Sequence, residues 1–403
     1  MGKTLYTFVY AWVYPGQGGN KEELVTIAHL SDTHLGYRAY TKTDPRGLNQ
    51  REVDVVETFR STLQAIAERD PDLVIHSGDF FDKVRPSNLV IVAAFKALLD
   101  FQCKRGNRPF VIVAGNHETP RVVDAGSILR LFQSIQGVHV FDRGSRDDNR
   151  EVFDDLDAEV VAVPTLLLEM DENGRFQPPG TRTHNILVMH GMARGVIRDA
   201  GEFYVDQTEP DRWTYIALGD YHVHRTWGGN CCYAGSTDFT STNIWEEVGT
   251  AKGWVWFDTD RGGLEFVPGT TRPVIDLPRI HAREMNAVEI TDRALAQIAW
   301  DPDTRPIVRQ IVTDVRPETR AAIDFATLRL AAESALHYQF ETIPVRAFDT
   351  ARSGSPEIRG VTLEEDWKQH IGAATFGPEV ERDRVRDLGL KLLEEANDAT
   401  ASA

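Results

Sequence analysis

The chain has 403 residues, 41% of them hydrophobic, with 44 Lys and Arg against 61 Asp and Glu for a net charge of −17. That length holds two or three domains with a real core, and no segment approaches the ~20 apolar residues that a membrane-spanning helix needs. So acidic a balance argues against a protein that grips nucleic acid mainly through phosphate-neutralising cations.

In chain order, Leu5–Tyr14 is apolar and follows Lys3. It is rich in Tyr and Trp and has no clear small-residue cleavage site, so residues 1–24 read as an extension rather than a leader. Val25–Leu30 then begins a series of apolar runs of the kind that suits strands buried on both faces. Each run ends in metal-ligand residues. Val25–Leu30 leads to Asp32-Thr33-His34, Asp72–Ser77 to Gly78-Asp79, and Phe110–Ala114 to Gly115-Asn116-His117-Glu118. Asn185–Met189 leads to His190-Gly191, and Tyr215–Leu218 to Gly219-Asp220-Tyr221-His222. In open α/β sheets chemistry collects outside the carboxyl ends of the strands, so five strands deliver Asp, His and Asn to one rim.

Helices alternate with these strands, at Glu52–Arg69 (Val56, Phe59, Leu63 and Ile66 on one face, closed by Pro71), Asn88–Cys103 and Val123–Ile135. The loop Gly36–Arg51 carries Arg38, Lys42, Arg46 and Arg51 with Tyr37 and Tyr40. It follows the first ligand pair, so it could track a phosphate backbone, as could Lys83 and Arg85 after the second. His29 and His76 lie inside strands and read as packed core histidines. His224 lies two residues beyond His222 and could compete with it as a ligand.

After residue 230 short strands follow at close spacing, Gly253–Phe257 and Leu264–Pro268, which suggests an antiparallel second sheet and hence a β-sandwich flanked by helices. From about 277 to 350 the pattern is a small α/β cap. It has strands at Ala287–Ile290, Ile307–Thr313 and Thr342–Arg346 and a helix at Phe325–Leu336. Two helical patterns end the chain, Leu363–Ile371 and Glu379–Ala396, the second crowded with Leu388, Leu390, Leu392 and Leu393.

Oxygen and imidazole ligands without a thiolate favour an ion such as Mn or Fe over structural zinc. Seven ligands, Asp32, His34, Asp79, Asn116, His190, Asp220 and His222, are too many for one ion and fit two, with one carboxylate bridging. Two-metal sites clamp the attacking and leaving oxygens of a phosphoryl displacement and bring the pKa of bound water toward about 7. The ions also add about four positive charges where the acidic chain needs them. Much of the remaining acidity lies elsewhere, as in Asp147–Glu159, which has seven acids opposed only by Arg150.

The series D-x-H, G-D, G-N-H, H-G and G-x-x-H resembles the calcineurin-like metallophosphoesterase superfamily. Ile27–Gly36, Gly78-Asp79-Phe80-Phe81-Asp82 with Arg85-Pro86-Ser87, and Tyr233-Ala234-Gly235-Ser236 resemble its SbcD / Mre-eleven branch of DNA repair nucleases. The resemblance covers roughly residues 25–350. It implies a four-layer sandwich at 25–276, a cap at 277–352 that helps shape DNA entry, and C-terminal helices at 353–403. It further implies a first metal on Asp32, His34, Asp79 and His222 and a second on Asp79, Asn116, His190 and Asp220, with His117 as catalytic histidine. The implied activity is a Mn-dependent DNA exonuclease and endonuclease of double-strand-break repair, using metal-bound hydroxide, with Mg or Fe as alternative ions.

Two positions depart from the family pattern. Asp220 stands where His is usual, making the second site harder and leaning it toward Mn or Mg and away from zinc. Glu118 stands where the nuclease branch usually has Asp. It motivates the alternative of a phosphoesterase acting on small phosphodiesters, nucleotides or phosphoproteins. The family further implies a homodimer and docking of the C-terminal helices on an SMC-like ATPase of the SbcC type. The sequence has no G-x-x-x-x-G-K-[ST], so ATP hydrolysis would belong to that partner. Three cysteines, two of them adjacent, form no disulfide framework and suit a reducing cytoplasm.

Overall fold

The structure is a computed structural model that describes residues 24–120, 126–143, 149–170, 176–196, 201–345, 363–373 and 381–401. The extension at 1–23 and the start of the Val123 helix lie outside the described residues. The strands are β1 Thr26–Leu30, β2 Leu73–His76, β3 Phe110–Val113, β4 Val138–Phe141, β5 Arg150–Phe153, β6 Ala158–Val163, β7 His184–His190, β8 Tyr215–Gly219, β9 Arg225–Trp227, β10 Cys231–Tyr233, β11 Gly253–Asp258 and β12 Gly263–Pro268. β13 Val274–Asp276, β14 Ile280–His281, β15 Ile307–Val315 and β16 His337–Pro344 follow. The helices are α1 Gln50–Arg69, α2 Asn88–Lys104, α3 Thr165–Met170, α4 Ala287–Ala296, α5 Pro317–Ala322, α6 Phe325–Ala331, α7 Leu363–Ala373 and α8 Arg382–Ala401.

Two six-stranded sheets, β12-β11-β1-β2-β3-β4 and β5-β6-β7-β8-β10-β9, face each other. Alternation along each strand sorts its side chains. Ile27, Ile75 and Val111 of the first sheet meet Val160, Ile186, Val188 and Ala217 of the second in a shared core. Ala28, Leu30, Val74 and Ile112 point the other way, onto Val55, Phe59, Leu63 and Ile66 of α1 and Ala94, Leu98 and Phe101 of α2. The outer face of the second sheet is covered by Leu167, Leu168, Phe203 and Trp213, which come from α3 and short turns rather than long helices.

Local signals fix the helix ends. Asn49 caps α1, its side chain accepting from the Arg51 and Glu52 amides, and Asp70 closes it in a left-handed conformation. Ser87 caps α2 through the Val90 amide. Val123–Ile135 is shorter than the spacing suggests: its described part holds a 3-10 helix at Ile128–Ser134.

Three expectations need correction. β11 and β12 do not begin a second sheet; β11 pairs antiparallel with β1 and extends the first, while the second sheet is parallel from β6 through β10. Spacing reports that two strands form a hairpin, not which edge the hairpin joins. The segment at Ala287–Ile290 is helical, because Asn286 accepts from the Val288 and Glu289 amides while Glu289 accepts from Asn286 in return. Arg51 is not a loop cation. It is 1% exposed and pairs with Asp238 at 2.9 Å and Asp54 at 3.1 Å.

The chain divides into two compact units that interleave along it. The first comprises residues up to 278 with 293–310 and 325–340; the second comprises 279–292, 311–324 and the residues from 341. Within the first, Phe239, Ile244, Ile307 and Leu336 form a small core with Tyr40 and Val274. Within the second, Trp367 of α7 donates to the Arg386 carbonyl of α8, and a Cβ at Gly389 would lie 2.2 Å from the Trp367 ring. Glycine is therefore required where these two helices cross. No helix among the described residues is long and apolar enough to cross a membrane.

Candidate metal centre

The five strand ends converge within the first unit. Asp32, His34, Asp79 and Asp220 all leave their strands in positive-φ conformations, at 50°, 44°, 54° and 100°. Such backbone is costly for non-glycine residues and persists only where its surroundings over-determine it. Here the turns are interlocked: the Asp32 amide donates to the Gly78 carbonyl at 3.0 Å and the His34 amide to the Asp79 carbonyl at 3.0 Å. Gly78 (φ +107°) and Gly115 are required by close approach. A Cβ at Gly78 would lie 2.0 Å from His190 Nδ1, and one at Gly115 would lie 2.1 Å from Asp79 Oδ1.

Asp79 is central. Its carboxylate lies 3.4 Å from His190 Nε2, 3.6 Å from His34 Nε2 and 3.9 Å from His117 Nε2, and accepts the His117 amide at 3.0 Å. Asp32, His34 and His222 form one group able to hold a cation, and Asp32, Asp79 and His190 another. Asp220 joins through His190 Nε2, 3.6 Å from its carboxylate, and through its own amide, which donates to the Asp32 carboxylate. Asn116 is exposed in the turn between Gly115 and His117.

The hydrogen bonds call for a cation. His190 Nδ1 donates to the Ser77 carbonyl at 2.8 Å, which turns Nε2 toward two carboxylates, an arrangement that needs a proton or a cation at that nitrogen. His34 Nε2 and His222 Nε2 stand 3.1 Å apart, two ring nitrogens that need either a proton or a shared ion between them. His34 Nδ1, His190 Nε2 and His222 Nδ1 are all buried without hydrogen-bond partners. Imidazole and carboxylate donors so arranged fit divalent ions.

Electrostatics agree. Burial pushes the Asp32 carboxyl up to about 7 despite the pull of His190. Burial acts on Asp79 too, but His190 and His34 outweigh it and hold that carboxyl well below the usual range. His190 is raised well above its ordinary value as Asp79 overcomes the cost of burial, while burial lowers His34 to about 4. One imidazole thus takes up the charge that the acids demand.

His117 stands at the mouth, its side chain 39% exposed, with Nδ1 donating to the Asp82 carbonyl at 2.8 Å. A cleft of about 440 Å³ opens beside it. His34, Asp220 and His222 line one part, and Tyr221, Thr240, Ser241, Thr242, Asn243, Glu246 and Glu247 line another. Among the described residues, no lysine or arginine lines the cleft.

The cations expected to meet substrate divide. Arg38, Lys83 and Arg85 are exposed. Lys42 is committed elsewhere, its ammonium donating to the carbonyls of Glu333 at 2.7 Å and Ala335 at 2.5 Å. His224 Nδ1 donates to the Tyr233 carbonyl and its ring stacks on Phe266, apart from the cluster. His29 bridges Tyr215 and Ser77 in the core.

Sequence reading missed what supports the ligands. Glu118 is fully buried and accepts from the Phe81 amide at 2.5 Å and the Gly115 amide at 3.0 Å, tying two ligand loops together. Burial, then the Asp79 charge, pushes it up to about 8. Its place directly after His117 was visible; its inward direction was not.

A family model, calcineurin-like phosphoesterase, matches residues 25–249. A DNA double-strand break repair protein Mre11 from Methanococcus maripaludis is 31% identical over 228 residues, 54% of this chain and 58% of that protein. Proteins of the same name from Thermoplasma acidophilum and Methanocaldococcus jannaschii are 27% and 26% identical. Those matches cover 72% and 66% of this chain and 78% and 70% of theirs. The Methanococcus match thus spans little more than half of that relative. With its strand-end Asp and His side chains gathered around Asp79 and the family match running through all of them, the chain belongs to the calcineurin-like phosphoesterase family.

Proposed function

We propose that the protein is a two-metal DNA nuclease of double-strand-break processing, with Mn as the working ion. The observation that carries this reading is the position of Asp79, within 3.6 Å of His190 on one side and His34 on the other, as a bridging carboxylate would be. Asp32, His34, Asp79 and His222 would hold one ion, and Asp79, Asn116, His190 and Asp220 the other. When bound, the ions supply Lewis acidity to the phosphate and acidify water.

The chain's own groups do the rest. The Asp82 carbonyl fixes the His117 ring through Nδ1, leaving Nε2 to carry a proton to the leaving oxygen. Glu118 keeps the loops bearing Asp79 and Asn116 in register. Arg38, Lys83 and Arg85, being exposed, are the cations left to meet the DNA backbone. The exposed Leu388 and Leu392 of α8 support docking of that helix on an SMC-like ATPase of the SbcC type. A homodimer and a cytoplasmic location complete the reading.

The deciding experiment is Mn-dependent digestion of end-labelled linear duplex DNA beside His117→Ala and Asp79→Asn. Loss of DNA with the wild type alone is the expected result, and the labelled ends separate exonuclease from endonuclease action. The lack of a lysine or arginine among the described residues lining the cleft favours a second reading, a phosphoesterase of small phosphodiesters. Intact DNA beside rapid hydrolysis of bis-p-nitrophenyl phosphate would select it.

A further inference from the structure

A buried ion pair stands behind the candidate ligand His222. Lys252, only 3% exposed, donates to the His222 carbonyl at 2.7 Å and to Ser236 Oγ at 2.9 Å, and its ammonium pairs by charge with Glu247 Oε2 at 2.7 Å. Two of the three ammonium protons are thus placed by hydrogen bonds, and the Glu247 contact is one of charge. The other Glu247 oxygen lies 3.8 Å from His222 Nδ1, the buried ring nitrogen without a hydrogen-bond partner. His222 Nε2 faces the cluster, 3.1 Å from His34 Nε2. The ring therefore has one nitrogen toward the candidate ion and one toward a carboxylate.

The backbone here is equally constrained. The His222 carbonyl also accepts the Ser236 amide at 3.1 Å, and a Cβ at Gly235 (φ +78°) would lie 3.1 Å from the same oxygen. Glu247 is delivered by the 3-10 turn Ile244–Glu246, and Lys252 directly precedes β11. Neither element carries a ligand.

We infer that Glu247 and Lys252 are a positioning pair for His222, Lys252 fixing its backbone and Glu247 its ring orientation and tautomer. Outer carboxylates on ligating histidines raise ligand basicity, and their loss costs about 10–100-fold in metal affinity. The inference rests on the metal-binding part of the function proposed above, and its test needs neither DNA nor turnover.

Mn²⁺ is titrated calorimetrically into the full chain as wild type, Glu247→Gln, Lys252→Met and the double variant, with thermal melts in parallel. The expected result is two Mn²⁺ ions per wild-type chain and an affinity about 10–100-fold weaker at one of them in Glu247→Gln. The double variant separates positioning from mere stability, because removing both charges leaves no buried ion unpaired. Its melting temperature should recover toward wild type while the Mn²⁺ affinity stays weak. Recovery of both, or wild-type affinity in folded Glu247→Gln, would overturn the inference. Should Lys252→Met fail to fold, the other two variants still decide. A wild type that binds no Mn²⁺ would instead overturn the metal reading itself, a distinguishable failure.

Discussion

Arg51→Met tests whether the cations after the first ligand pair serve substrate or fold. The guanidinium is 1% exposed and donates to Asp238 at 2.9 Å, to the Phe239 carbonyl at 2.9 Å and to Asp54 at 3.1 Å. Asp54 keeps a second partner in Arg272, at 2.6 Å, but Asp238 is fully buried and left with Thr58 Oγ1 and the Phe239 amide. Removing one partner of a buried pair costs about 3–5 kcal/mol because the survivor stays charged in a low-dielectric site. At about 2–4 °C per kcal/mol for a domain of this size, the melting temperature should fall by roughly 6–20 °C. Adding Asp238→Asn should recover much of the loss, since both charges then leave together. Differential scanning calorimetry measures both variants, with duplex DNA binding scored on the folded fraction. A variant melting within about 2 °C of wild type but deficient in DNA binding would refute the structural assignment.

Other outcomes follow from the same geometry. Gly78→Ala forces a Cβ to within 2.0 Å of His190 Nδ1; the displaced ring should abolish Mn²⁺ binding in calorimetry, at a stability cost of about 1–3 kcal/mol. Asp220→His replaces a hard oxygen donor by imidazole and should raise the zinc-to-manganese affinity ratio, read by competitive titration. Lys42→Met strands the Glu333 and Ala335 carbonyls; a loss of about 1 kcal/mol in denaturant unfolding is expected, with DNA cleavage unchanged.

The meeting of the candidate ligands was legible because these residues lie within a few positions of the ends of buried strands. A continuous apolar run marks the strand, and the sheet's topology sets where its carboxyl end must lie. Asp32, Asp79, His117, His190, Asp220 and His222 all gain their neighbours this way. What failed depends on partners distant in sequence. Arg51 looks like any loop cation until Asp238 is seen beside it, and Lys42 until the 333–335 segment is. Glu247 and Lys252 lie in an irregular stretch whose periodicity carries no signal. The helix at Ala287–Ala296 was recoverable, since Asn286 and Glu289 spell a capping box. The run of β-branched Val288 and Ile290 masked it.

The pairing of β11 with β1 has a consequence for how the protein comes into being. β1, which leads into Asp32 and His34, is flanked by β2 on one side and β11 on the other, and the Val25 amide bonds to Thr259, 234 residues later. At about 5–20 residues per second, a ribosome needs roughly ten to fifty seconds to supply that neighbour. Until then an apolar strand has an open edge, the kind of surface that recruits other chains. Nascent chains stalled before residue 258 should therefore be avid chaperone clients.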